Sequence, residues 1–128
     1  MPTTVLLCDD EDALRQLVRA TLDNGRYEIL EVADGDESLD LVRRLRPDLV
    51  VLDMMMPGRS GLDVLRELRA DQALARTPVI MLTARAQLAD RQAAAAAGAD
   101  RYLAKPFSPL ELISLVEELL ENGAPGAR

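Results

Sequence analysis

Four short apolar runs punctuate the chain, and each ends on a polar residue. Val5-Leu6-Leu7-Cys8 leads into Asp9-Asp10, Leu49-Val50-Val51-Leu52 into Asp53, Val79-Ile80-Met81-Leu82 into Thr83, and Tyr102-Leu103-Ala104 into Lys105. Runs this short and apolar, separated by stretches of helical spacing, predict strands covered on both faces of a parallel sheet. They fall at 4–8, 49–53, 79–83 and 101–104. A fifth strand at 28–32 alternates polar and apolar residues, as an edge strand does. Between them lie helices at 12–24, 37–45, 87–97 and 109–121, and one that Ser60 caps and that runs to about residue 70. Leu14, Leu17, Val18, Thr21 and Leu22 share one face of the first helix. Gly25, Pro47 and Gly98 close helices, Pro109 stands where a helix begins, and Pro57 and Gly58 lie in the loop 54–60.

Five strand–helix units in about 120 residues predict an open, doubly wound α/β sheet with helices on both faces. The pattern leaves the strand order open. In such sheets ligands sit outside the carboxyl ends of the strands. Three carboxylates, a hydroxyl and an ammonium are therefore expected to converge on one edge. A single domain is expected over 1–122. Residues 123–128, with Gly123, Pro125 and Gly126, read as a flexible tail or the start of a linker.

The bulk properties narrow the class of protein. At 128 residues the chain is long enough for one core without staples. A formal net charge of −7 leaves no basic footprint for nucleic acid, so direct nucleic-acid binding is not expected. Cys8 stands alone, which excludes an internal disulfide, and it reads as a small buried hydrophobe. No secretory signal and no apolar run of membrane-spanning length is present, so a cytoplasmic protein is expected, with no membrane partner.

The chemistry follows from the residues at the strand ends. Asp9, Asp10 and Asp53 brought together repel one another, and a hard cation relieves that repulsion. Oxygen ligands and the absence of any histidine favour Mg²⁺ over zinc. Asp12 reads instead as a helix-start acid. Asp53, at the end of the central run, is placed to act as a nucleophile toward phosphorus. Lys105 supplies a compact positive charge for phosphoryl oxygens, and Thr83 a hydroxyl donor.

The stretches VLLCDDE, VVLDMMMPGRSG, VIMLTA and YLAKPF resemble the receiver domain of two-component response regulators, and the resemblance spans residues 4 to about 121. It implies a flavodoxin-like five-stranded parallel sheet of order 2-1-3-4-5. Asp53 would be the phosphoacceptor. Asp10, Asp53 and the backbone carbonyl of Met55 would ligate Mg²⁺, with Asp9 acting through a water. Thr83, Lys105 and the backbone N–H of Ala84 would contact the phosphoryl oxygens. Thr83 and Tyr102 would form a switch that reshapes the face of helix 4, strand 5 and helix 5. Lys105-Pro106 resembles the family's cis peptide. The implied partners are a histidine kinase or phosphotransfer protein as donor and, on the last-helix face, an output domain, a partner protein or a second copy.

Met55 and Arg85 stand where the family tunes the lifetime of the phosphorylated state. Met55 offers a water no hydrogen bond, and Arg85 stays protonated and cannot act as a base. Slow self-dephosphorylation is expected, without turnover of an outside substrate. The last helix carries Glu111, Ser114, Glu117, Glu118 and Glu121 on one arc and no basic residue; Leu110, Leu112, Ile113, Leu115, Val116, Leu119 and Leu120 cover the rest. That stripe is wider than a core-facing helix needs and predicts burial with an apolar margin. The missing basic residues disfavour the charged dimer mode of winged-helix relatives. Two other readings compete. A Mg²⁺-dependent phosphohydrolase of the dehalogenase type would carry an Asp where Met55 stands. A docking module without phosphorylation would not need the full set of acids, Thr83 and Lys105.

Overall fold

The computed structural model describes residues 3–23, 25–84 and 88–122. Five strands, β1 (Thr3–Cys8), β2 (Tyr27–Val32), β3 (Leu49–Asp53), β4 (Val79–Thr83) and β5 (Arg101–Ala104), alternate with helices α1 (Asp12–Leu22), α2 (Gly35–Leu45), α3 (Gly61–Ala70), α4 (Leu88–Ala97) and α5 (Pro109–Glu117). A π-helical turn, Glu118–Asn122, continues α5. All strand pairs are parallel, in the order β2-β1-β3-β4-β5. No helix among the described residues is long and apolar enough to cross a membrane.

Side chains alternate across each strand, so one apolar run feeds two cores. Leu6, Cys8, Val50, Leu52, Val79 and Met81 pack with Leu39 and Val42 of α2, Val64, Leu65 and Leu68 of α3, and Ala94 of α4. Val5, Leu7, Leu49, Val51, Ile80 and Leu82 face the other way, onto Val18 and Leu22 of α1 and Leu112 and Val116 of α5. This split follows from the winding: the chain steps from β1 out to β2, then returns to β3 and continues the other way. The reversal opens a crevice between the carboxyl ends of β1 and β3.

Helix starts are set by side-chain caps. Asp34 accepts from the N–H of Glu37 at 2.8 Å, so α2 begins at Gly35, two residues before the position expected from apolar spacing. Ser60 caps α3 through the N–H of Asp63, and Ser108 and Glu111 form a reciprocal capping box at α5 with Pro109 at its start. α1 ends at Leu22 rather than at 24. The expected start of α4 at Gln87 lies outside the described residues, as do Arg85 and the tail 123–128.

One apolar expectation needs correction, and another is resolved in detail. Leu17 does not face the core: it is 44% exposed, and Thr21 turns its hydroxyl back to the Leu17 carbonyl at 2.8 Å. Arg15 and Arg19 take the strip over the sheet edge instead, both paired with Glu31 of β2. On α5, Leu112 and Val116 are fully buried, while Ile113 and Leu115 are half-buried and Leu110 is 77% exposed. Leu112, Val116 and Leu119 are the core of that stripe, and Leu110 and Leu115 form its margin, as the breadth of the stripe predicts.

Candidate functional site

Sheet register brings the strand-end residues level. Cys8 pairs with Leu52, so Asp9 and Asp53, the next residue of each strand, stand side by side. Asp53 pairs with Leu82 and Thr83 with Ala104, which places Thr83 and Lys105 one step further along the same edge. Backbone bonds extend the ladder past the strand ends: Met54 N–H to Leu82 O at 2.8 Å and Lys105 N–H to Thr83 O at 2.7 Å.

Three of these polar residues are buried: Asp9 fully, Thr83 at 3% exposure and Asp53 at 4%. Asp10 faces outward. Each of Asp9, Asp10 and Asp53 offers one carboxylate oxygen, and the three lie within 4.8 Å of one another. Lys105 Nζ is 3.0 Å from Asp9 Oδ2, 3.2 Å from Glu11 Oε1 and 3.5 Å from Asp53 Oδ1. The N–H of Met55 reaches Asp53 Oδ1 at 3.3 Å. The Lys105–Pro106 peptide bond is cis.

Burial pushes the Asp53 carboxyl up to about 6, and the neighbouring Asp9 charge adds to the rise; Lys105 and the Met55 N–H hold it lower than burial alone would. Burial lowers the affinity of Lys105 for its proton, but the contact with Asp9, the charge of Asp53 and the contact with Glu11 outweigh this, so its ammonium lies above its ordinary value. The thiol of Cys8, buried and pushed up to about 12, is inert.

The donor set suits a divalent cation. Three carboxylates without a nitrogen or sulfur ligand match hard cations. Asp9 Oδ2 is buried and accepts no aligned hydrogen bond, meeting Lys105 only as an ion pair. Excess negative charge in a pocket that admits one ammonium leaves room for a further positive charge.

The loop after Asp53 is held by close backbone contacts. A Cβ on Gly61 would fall 1.9 Å from the Asp53 carbonyl oxygen, and one on Gly35 would fall 1.7 Å from that of Arg59. Only glycine permits both approaches, and the N–H of Gly61 donates to Met54 O at 3.0 Å. Met54 and Met56 point inward, leaving Met55 72% exposed at the rim. Ala84 is exposed beside Thr83, and Tyr102 is half-buried with the Arg91 guanidinium 5.3 Å from its ring centroid.

The fold therefore brings together Asp9, Asp10, Asp53, Thr83 and Lys105, all legible at strand ends. Two contributors were not anticipated: Glu11, the third acid on Lys105, and Arg15, whose Nη1 donates to the Asp9 carbonyl at 2.6 Å. Glu11 was visible in the acidic run beside the first strand; nothing in the sequence indicates that Arg15 folds back over the strand end.

Comparison with known proteins agrees with this arrangement. The model of the response regulator receiver domain family matches residues 5–117. The phosphate regulon transcriptional regulatory protein PhoB of Pseudomonas aeruginosa is 36% identical over 123 residues, covering 96% of this chain and 54% of that protein. The response regulator MprA of Mycobacterium sp. strain KMS is 42% identical over 125 residues, covering 98% and 54%. Among solved structures, a response regulator of Chloroflexus aurantiacus superposes with a TM-score of 0.89 at 33% identity, over 94% of this chain and 98% of that one. The receiver domain of a sensor histidine kinase from Pseudomonas aeruginosa PAO1, solved with a magnesium ion coordinated in its active-site cleft, gives 0.86 at 32% identity, over 94% and 98%. This chain belongs to the response regulator receiver domain family of two-component signalling systems. It spans about half the length of the curated relatives it matches.

Proposed function

We propose that Asp53 accepts a phosphoryl group from the phosphohistidine of a histidine kinase or phosphotransfer protein, and that the added charge is read out through α4, β5 and α5. One observation carries this reading: a carboxylate at 4% exposure, at the reversal of a doubly wound sheet, with an ammonium 3.5 Å away and two further carboxylates beside it. A structural acid in that position would be neutralised by a single partner; this one is embedded in surplus charge. Asp53 attacks phosphorus as its carboxylate, the phosphorus–nitrogen bond breaks, and the electron pair leaves with the imidazole, which takes up a proton from solvent. The product is an acyl phosphate on Asp53.

Mg²⁺, held by Asp10, Asp53 and the Met55 carbonyl, with Asp9 acting through a water, would supply the charge that offsets the carboxylates and the incoming phosphoryl group. Lys105 pairs with one phosphoryl oxygen, and the Thr83 hydroxyl and Ala84 N–H donate to others. As Thr83 moves toward the phosphoryl group, Tyr102 turns into the space behind it. Leu110 and Leu115 on the margin of α5 offer an output domain, a partner protein or a second copy an apolar contact. A hollow of about 370 Å³ lined by Leu14, Leu17, Pro106 and Phe107 adjoins Lys105.

The domain catalyses its own phosphorylation and slow self-dephosphorylation, with Met55 and Arg85 limiting the approach of water, and turns over no outside substrate. Its acidity and single cysteine support a cytoplasmic domain that makes no direct nucleic-acid contact. The competing phosphohydrolase reading finds no support at Met55, an exposed methionine where such enzymes carry a second acid. Acetyl phosphate with Mg²⁺ tests the assignment. Labelling is expected in the wild type and absent in Asp53→Asn; uptake by the variant at the wild-type rate overturns it.

A further inference from the structure

Arg15 has its side chain at 15% exposure, and its guanidinium is spent at three points. Nη1 donates to the carbonyl of Asp9 at 2.6 Å, Nε to Glu31 Oε1 of β2 at 3.2 Å, and Nη2 to Asp12 of the first turn of α1. The Asp9 carbonyl belongs to the peptide unit that joins Asp9 to Asp10. Asp9 also accepts the N–H of Glu11 on Oδ1 at 2.8 Å, and its own N–H donates to Val32 O at 3.1 Å. Each of these contacts fixes part of the segment 9–11, but Arg15 alone among the described residues ties the Asp9–Asp10 peptide plane to a side chain anchored on both β2 and α1.

From this geometry we infer that Arg15 is a positioning residue for the acidic pocket. Its planar fork locks the Asp9–Asp10 peptide and so sets the direction in which the exposed Asp10 carboxylate leaves the backbone. Its charge alone, beside three carboxylates, would weaken their pull on a cation, so the fork geometry and not the charge carries the role. Arg19 is the natural comparison. It shares the partner Glu31 and donates to Ile29 O at 2.8 Å, yet touches neither Asp9 nor Asp10. A fork that positions the pocket makes Arg15 matter for cation binding and Arg19 not; an edge clamp that only stabilises the fold makes them alike.

The inference rests on the reading of the acidic cluster as a Mg²⁺ site, and calorimetric titration of the full chain with Mg²⁺ alone separates the two. Asp10→Ala tests the site itself: unchanged affinity there would overturn the metal reading. With the site established, Arg15→Gln is expected to weaken Mg²⁺ by about ten-fold or more, the usual loss when an outer partner of a metal ligand is removed. Arg15→Lys, which keeps the charge and loses the fork, should also bind Mg²⁺ more weakly than the wild type, and Arg19→Gln should match the wild type. Metal-free melting temperatures of Arg15→Lys and Arg19→Gln should agree, because each loses a comparable edge contact. Wild-type Mg²⁺ affinity in Arg15→Lys, or an equal loss in Arg19→Gln, overturns the positioning role even if Arg15→Gln fails to fold.

Discussion

The two halves of the carboxyl edge are built differently. At β1 and β3 the acids sit on a backbone pinned from several sides: Arg15 on the Asp9 carbonyl, Gly61 pressed against the Asp53 carbonyl, and Val32 on the Asp9 N–H. At β4 and β5 the polar groups lead outward to a half-buried Tyr102 and an α5 whose apolar stripe is only partly covered. A nucleophile and its cation need fixed geometry, because small displacements of reacting groups cost rate. A readout needs an element with two packings of similar free energy. On the proposed reading the sheet would supply both, with the pinned half at its centre and the less covered half toward the β5 edge.

This contrast can be broken from either side. The largest effect is expected in the rigid half. Asp10→Ala should reduce Mg²⁺ affinity by more than the roughly 10–100-fold typical of losing an outer partner, as judged by titration, because a proposed direct ligand is lost. Lys105→Ala should leave Mg²⁺ binding near the wild-type value and impair labelling by acetyl phosphate; loss of metal binding in that variant would merge roles kept apart here.

A smaller effect concerns stability. The folded value of about 6 for Asp53 exceeds its ordinary 3.8, so the native state holds this proton more tightly than the unfolded chain. In metal-free protein that favours folding below the ordinary value, and the advantage is lost as pH rises through about 6. An amide in place of this carboxyl cannot ionise, so Asp53→Asn should match the wild type near pH 4 and exceed it above pH 7 by at most about 3 kcal/mol in chemical denaturation. A variant less stable than the wild type at pH 8 would contradict the burial argument. The smallest effect concerns lifetime. Met55→Asn should speed self-dephosphorylation several-fold by offering the attacking water a hydrogen bond at the rim; an unchanged decay of the acyl phosphate would remove Met55 from that role.

Much of this was legible in the chain. Uninterrupted apolar runs such as Val50-Val51-Leu52 imply strands covered on both faces of a parallel sheet, and the shared carboxyl edge of such a sheet places Asp53, Thr83 and Lys105 together. The unread parts depend on side-chain direction and close approach. Leu17 fits the helical stripe of α1, yet arginines paired to Glu31 occupy the ground beside the sheet. Arg15 follows Asp9 by six residues, a spacing with no local meaning until the loop between them folds back. Gly35 and Gly61 look like ordinary helix-start glycines, and only the neighbouring carbonyls reveal why a Cβ is excluded. The earlier start of α2 was readable from Asp34 and Glu37, a cap and its third residue, but apolar spacing alone passes over it.

The central claim is that charge placed in the fixed half alters the adaptable half. Amide chemical-shift mapping with beryllofluoride and Mg²⁺, which mimic the phosphorylated site without turnover, tests it most directly. The account predicts shifts that extend from Asp53 and Thr83 to Tyr102, α4 and the Leu110–Leu115 margin of α5; shifts confined to the Asp53 pocket, with Tyr102 and α5 silent, would contradict it.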